Sequence, residues 1–303
     1  MRKIVNFLQY LVVAIMARIL NGLPGPVAYR IGEVLGIIAF FIDRRHRRIA
    51  LGNLHLAFDG EFPPEKINSI ARATFINLGR TLVDVCRMSR INPKNADRIF
   101  AFKGMENLNR AKEKGKGVLF VTAHFGPWEL LATASALKGE PVNVVVRPLD
   151  NPYLDRTINR LRARFGNRVI TKKKALKTVL AALNQGENVG ILIDQNITWK
   201  EGVFVDFFGR LANTVIAPAI LALRSHASVL PAVIYRNGMG KYTVAIGEEI
   251  QVVRTDNLKT NVALNTAKFT KAIEGYIRES PAEWFWVHQR WKTQPDGENL
   301  RWD

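Results

Sequence analysis

From Gly117 onward, short apolar runs alternate with helix-length segments, and this alternation leaves few possible folds. The pattern predicts strands over Gly117–Ala123, Val142–Arg147, Val169–Thr171, Val189–Asp194, Val229–Ile234 and Tyr242–Ile246. Between and after them it predicts helices over Pro127–Leu137, Pro152–Phe165, Lys174–Asn184, Ala217–Ser225 and Val262–Glu279. Strands that are apolar at successive positions have no face to offer water. They belong in a sheet covered on both sides, so the fold class is α/β with a largely parallel central sheet. Ligands of such sheets bind beyond the carboxyl ends of the strands. His124, Arg147 and Asp194 all fall at predicted strand ends.

The first hundred residues read differently, as mostly helical. An apolar stretch, Ile4 to Leu23, has nearly the ~20-residue length that crosses a bilayer, but it carries Asn6, Gln9, Arg18 and Asn21. A second apolar stretch, Val27 to Ile42, runs into Asp43-Arg44-Arg45-His46-Arg47-Arg48. An apolar helix followed by a basic cluster suits a helix in or on a membrane, with the cluster at anionic headgroups. Residues 1–45 are therefore expected to form a membrane-associated helical segment, and 46–303 a single catalytic domain. A third helix is predicted from Pro64 to about Ser89, stopped by Asn92-Pro93.

The chain carries 44 Lys+Arg against 26 Asp+Glu, a formal charge of +18. That excess calls for a polyanionic partner: nucleic acid, an anionic membrane or an acidic carrier protein. Cys86 is the only cysteine, which excludes an internal disulfide and points to a reducing compartment. Its apolar helical neighbours make it a core residue.

His124 follows the first strand, and Gly126-Pro127 turns the chain so that Glu129 opens the next helix. A zinc motif would need a second histidine one helical turn away, and none is near, so no metal is expected. A His–carboxylate dyad fits, with the carboxylate accepting one ring N–H and the other nitrogen acting as base. With no serine or cysteine in a nucleophile elbow, the base would act on a substrate hydroxyl. On context alone, a helix-dipole glutamate and a satisfied loop histidine remain equally open. Arg147 would bind phosphate or a developing oxyanion, and Asp194-Gln195 would orient a hydroxyl or an arginine. Phe207, Phe208, Gly209 and Thr214 mark a loop expected to line an apolar pocket, or else to anchor in the core. The segment Pro281–Lys292, dense in tryptophan and arginine, suits a membrane interface or single-stranded nucleic acid.

Taken in order, these segments resemble the bacterial lipid A biosynthesis acyltransferases, the lauroyl and myristoyl transferases, over essentially the whole chain. The resemblance rests on Arg44-Arg45-His46-Arg47-Arg48 with Ala50–Leu54, Asn77–Arg80, His124–Glu129, Arg147-Pro148, Asp194-Gln195, Phe207-Phe208-Gly209 with Thr214, and Trp284–Lys292. It implies that His124, within an H-x4-D/E motif, deprotonates the acceptor hydroxyl with support from Glu129, and that the alkoxide attacks an acyl thioester without an acyl-enzyme. It implies an acyl carrier protein as donor, a lipid A precursor as acceptor, no cofactor, and a place at the cytoplasmic face of the inner membrane. Relatives acting on phosphatidylinositol mannosides or aminolipids leave the acceptor open. A basic nucleic-acid-binding protein is the alternative of another class; no recognised nucleic-acid motif supports it, so no nucleic-acid partner is expected.

Overall fold

The computed structural model describes residues 2–171, 175–300 and 302. Four helices lead the chain: α1 (Arg2–Gly22), α2 (Gly25–Ile42), α3 (Arg44–Ala57) and α4 (Pro64–Arg87). A one-turn helix α5 (Ala96–Ile99) feeds β1 (Phe100–Lys103). Then follow α6 (Met105–Glu113), β2 (Val118–Thr122), α7 (Leu131–Leu137), β3 (Val142–Val146), α8 (Pro152–Arg162), β4 (Arg168–Thr171), α9 (Ala175–Asn184) and β5 (Asn188–Leu192). A hairpin of β6 (Gly202–Phe207) and β7 (Arg210–Val215) precedes α10 (Ala217–Ser225), β8 (Ser228–Arg236), β9 (Tyr242–Ile246) and α11 (Leu258–Glu279). Lys174, the expected start of α9, lies outside the described residues.

The main sheet has seven strands in the order β1-β9-β8-β2-β5-β3-β4. All its neighbours are parallel except β8 and β9. The α/β fold, with its mostly parallel sheet and N-terminal apolar helices, is thus the one the sequence predicts. β2 is buried at every position and alternates between two cores. Leu119 and Val121 join the larger cluster, with residues of α9, α10 and α11. Val118 and Phe120 join the other, with Leu108, Leu130 and Ala134.

Two segments differ from expectation. Residues 205–214 are a β-hairpin rather than a loop of small residues leading into a helix. Its turn places Phe208 at φ 57° and Gly209 at φ 74°, the left-handed pair of a two-residue hairpin turn. A phenylalanine tolerates this because its N–H is taken by Glu274 Oε2 at 2.9 Å and its ring sits under the Arg278 guanidinium. The second is the aromatic C-terminal segment, which is no interfacial belt. Trp284, Trp286 and Trp291 are fully buried, packed on one another and on Phe207, Phe208 and Phe58. Burial of such large rings fills core volume that the helices leave open.

Candidate active site

Register brings the candidate base to its partner. Thr122 at the end of β2 pairs with Leu192 at the end of β5. The Ile193 N–H then reaches the Thr122 carbonyl at 3.0 Å, so the chains stay in step beyond the strands. Two residues past each strand stand His124 and Asp194. His124 Nδ1 donates to Asp194 Oδ1 at 2.9 Å, and the His124 backbone N–H donates to Oδ2 at 2.8 Å. Oδ2 also accepts the Trp284 indole N–H at 2.8 Å. The carboxylate is 1% exposed and the imidazole 20%, so the dyad is closed on one side only.

The ring partner is therefore Asp194 and not Glu129. The turn explains why. Gly126 sits at φ 56°, where a Cβ would lie 2.0 Å from the Ile234 carbonyl, so the chain turns sharply there. The single 3-10 turn Trp128–Leu130 then directs Glu129 to the end of α8. There Arg162 clamps it through two bonds, Nε at 2.8 Å and Nη2 at 2.6 Å.

With Nδ1 donating to Asp194, Nε2 is the acceptor, and the Gln195 amide nitrogen approaches it at 3.3 Å. The ring forms a triangle with Trp128, 5.3 Å away, and Phe285, 5.9 Å away, which are themselves 5.7 Å apart. Segment 284–285 also holds the loop itself, because the Phe285 N–H donates to the His124 carbonyl and Phe125 bridges to Trp284.

Burial alone would lower the His124 pKa. The charge of Asp194, its hydrogen bond and the more distant charge of Glu129 outweigh that and hold it above the ordinary value. Burial would likewise raise Asp194, but the imidazole and the donors around it keep its carboxyl below the usual range. Nearby His288 is pushed down to about 4 by burial and accepts the Asn196 N–H through Nε2. It is a neutral structural acceptor.

Beneath Trp128 lies an apolar cavity of about 70 Å³ between the sheet and helices α6 and α7. Phe120, Thr122, Gly190 and Leu192 form its sheet side, and Met105, Leu108 and Leu131 its helical side. Its lining runs from the site end of the strands to Val142 and Glu140 at the other.

The remaining sequence candidates sort into two groups. Arg147 is exposed directly after β3, on the same sheet edge as His124, and among the described residues its guanidinium has no partner. Phe207, Phe208, Gly209 and Thr214 do not line the cavity. Phe207 packs behind Trp284 at 5.5 Å, and Thr214 Oγ1 accepts from the buried Arg290, whose guanidinium also covers the Phe207 ring. Phe207 and Thr214 thus belong to the layer behind the site, Phe208 packs on Phe58 and Trp286, and Gly209 is exposed at the hairpin turn. Sequence reasoning missed Trp284, Trp128 and Arg162. Only the tryptophan-rich composition signalled the first, and it pointed to the wrong environment. No group of three or more His, Cys, Asp or Glu among the described residues could hold a metal ion.

The bacterial lipid A biosynthesis acyltransferase family model matches residues 1–293. The chain belongs to this family. It is an acyltransferase, and the His124–Asp194 edge of its sheet is the candidate centre. Relatives include the lipid A biosynthesis lauroyltransferase of Escherichia coli (strain K12), 30% identical over 91% of this chain and 88% of the relative. The palmitoleoyltransferase of the same strain is 29% identical over 91% and 89%. Its myristoyltransferase is 24% identical over 90% and 82%. The acyltransferase thus has relatives named for different acyl chains at comparable similarity.

Proposed function

We propose that the acyltransferase moves a fatty acyl chain from an acyl carrier protein thioester to a hydroxyl of a lipid A precursor, at the cytoplasmic face of the inner membrane. One observation carries the mechanism: His124 is locked through Nδ1 on a buried carboxylate while its ring stays 20% exposed, with Nε2 left as the acceptor and Trp128, which packs on the ring, lining an apolar cavity. Nε2 takes the proton of the acceptor hydroxyl as its oxygen attacks the thioester carbonyl. The carbon–sulfur bond then breaks, and the imidazolium returns the proton to the leaving thiolate. Asp194 fixes the tautomer and stabilises the imidazolium. Glu129, held by Arg162, adds negative potential without touching the ring. Arg147, unpartnered at the neighbouring strand end, binds acceptor phosphate.

The acyl chain enters the cavity beneath Trp128. Its volume of about 70 Å³ falls short of the roughly 300 Å³ of a small-molecule site. A full chain therefore requires α6 and α7 to ease off the sheet. The charge of +18 suits both an acidic carrier and a phosphorylated acceptor.

The test is purified protein with acyl carrier protein thioesters of defined length and a lipid A precursor, read by mass spectrometry. A mass gain of one acyl group, lost in His124→Ala, supports the proposal. Turnover unaffected by His124→Ala overturns the mechanism, and no acylation of any lipid A precursor overturns the acceptor.

A further inference from the structure

α1 and α2 are each long and apolar enough to cross a membrane, yet they do not stand away from the folded domain. α2 runs antiparallel along α4. Tyr29 meets Asp84, Glu33 meets Arg80, and Phe40 packs on Phe75. Between these contacts the backbones touch: a Cβ on Gly36 would lie 2.3 Å from the Phe75 carbonyl, and one on Gly79 2.0 Å from that of Gly32. α4 itself belongs to the water-facing domain. It buries Ile67, Ile70, Ala71 and Phe75 in the main core and exposes Glu65, Lys66 and Arg72.

α1 is tied down at both ends. Near its start, Asn151 Nδ2 donates to the Asn6 carbonyl at 2.8 Å, and Tyr153 of α8 packs on Phe7. Near its end, Arg87 Nη1 donates to the carbonyls of Leu20 and Leu23 at 2.8 and 2.7 Å. The tethers are fourteen residues apart, about 21 Å of helix, and both lead to the same domain. An upright α1 would break one of them or drag α8, with its exposed Arg156 and Arg160, into hydrocarbon.

What the two helices leave exposed is one-sided. On α1 the exposed apolar face centres on Ile4, Leu8, Leu11, Ile15 and Ile19, spaced by three and four, and widens to Val5, Phe7 and Val12; on α2 it runs through Val27, Ile31, Val34, Ile38 and Phe41, with Leu35 and Ile42 beside it. Of their polar side chains, Asn6, Asn21 and Glu33 are turned toward the protein, while Gln9, Arg18 and Arg30 are exposed beside the apolar faces. Arg2 and Lys3 at one end and Arg44, Arg45 and Arg48 beyond the other are exposed. We infer that the α1–α2 pair lies in the plane of a single anionic leaflet, its apolar stripes in the acyl boundary and these basic residues at the headgroups, and does not cross the bilayer. This rests on the membrane reading above. Because α1 also packs on α8, which begins at the Arg147–Asn151 loop, the sheet edge carrying His124 lies at the leaflet. A lipid acceptor then reaches the base laterally without leaving the membrane.

Single-cysteine variants test this. In a Cys86→Ser background, Lys3→Cys, Gly22→Cys and, on the domain surface, Lys259→Cys are probed with a membrane-impermeant maleimide in spheroplasts and in inverted vesicles. Labelling of all three from the same face, with none from the other, is the expected result. Lys3→Cys labelled from the opposite face means a single span, and Gly22→Cys alone from the opposite face means a spanning hairpin. A site silent from both faces and reactive only in detergent lies in hydrocarbon. Each of these overturns the in-plane arrangement while leaving the membrane reading intact. Recovery of the whole protein in the soluble fraction overturns both.

Discussion

Two buried aspartates in this molecule are built alike and do opposite things. Asp84 of α4 accepts the Tyr29 and Tyr242 hydroxyls at 2.5 Å each and the Arg236 guanidinium at 2.6 Å. Asp194 also accepts three bonds, from the imidazole, a backbone N–H and an indole. The difference lies in the partners. Tyr29, Tyr242 and Arg236 are themselves buried, so every bond around Asp84 ends inside the protein. The partner of Asp194 is 20% exposed, and its second nitrogen meets only the Gln195 amide at 3.3 Å. A buried carboxylate with closed partners joins elements; here it pins α2, α4, β8 and β9. A buried carboxylate whose partner has an open far side transmits its charge to whatever arrives there.

The sharpest way to break the comparison is to remove one member of each cluster. His124→Ala should lower acyl transfer by about two to four orders of magnitude as the loss of the proposed general base, with a smaller stability cost of about 1.5–3 kcal/mol from the donor that Asp194 loses. Asp84→Asn should do the reverse. It leaves the buried Arg236 only the longer pairing to Glu283 at 3.4 Å and should cost up to about 3–5 kcal/mol of stability, with activity per folded molecule retained. Denaturant unfolding beside thioester turnover reads both. A folded but inactive Asp84→Asn protein would show that this cluster also serves the chemistry.

How much of this contrast was legible from sequence follows from range. The βα alternation, the strand-end positions of His124 and Asp194, and the basic cluster after α2 are local signals, and the structure keeps them. That Asp194 and not Glu129 holds the ring depends on the register between β2 and β5, strands 70 residues apart at the bond in question. Spacing within one loop could not reveal it. Trp284 was visible as composition but not as geometry, because an aromatic at a membrane surface and one behind an active site look alike in sequence. The β6–β7 hairpin stayed hidden because Phe208 occupies a left-handed position usually held by Asn or Gly, and what fixes it is Glu274 in a distant helix.

A finer test keeps the ring and removes one donor. Trp284→Phe preserves most of the buried aromatic volume but takes the indole N–H from Asp194. A hydrogen bond to a charged group is worth about 1.5–3 kcal/mol, so transfer should fall about tenfold to a hundredfold. The pH profile separates this from mere loosening. The base works only when neutral, and its pKa already stands above the ordinary histidine value of 6.5, so wild-type activity should rise with a midpoint above that pH. An Asp194 with one donor fewer holds the imidazolium proton harder, so the midpoint in Trp284→Phe should move higher still. Asp194→Asn, which removes the charge and leaves the effect of burial, should move it lower as the rate drops. A uniform loss across pH in Trp284→Phe would reduce Trp284 to packing.

The smallest effect tests what makes the Asp194 side open at all. Gly190 sits midway along β5 in the apolar cavity, and a Cβ there would come 3.2 Å from Val142 Cγ1. Gly190→Val narrows the cavity without touching the dyad. If the acyl chain lies there, donors long enough to pass Gly190 should lose about tenfold in kcat/KM, while shorter donors react as before. The dyad's pH profile should stay in place, since no charge near His124 changes. A series of thioesters differing by two carbons reads the break point directly. An equal loss at every length would mean a general distortion of the sheet, and an unchanged length profile would put the acyl chain elsewhere. A break at one length would tie the open side of Asp194 to the cavity beneath Trp128, a feature that nothing around Asp84 supplies.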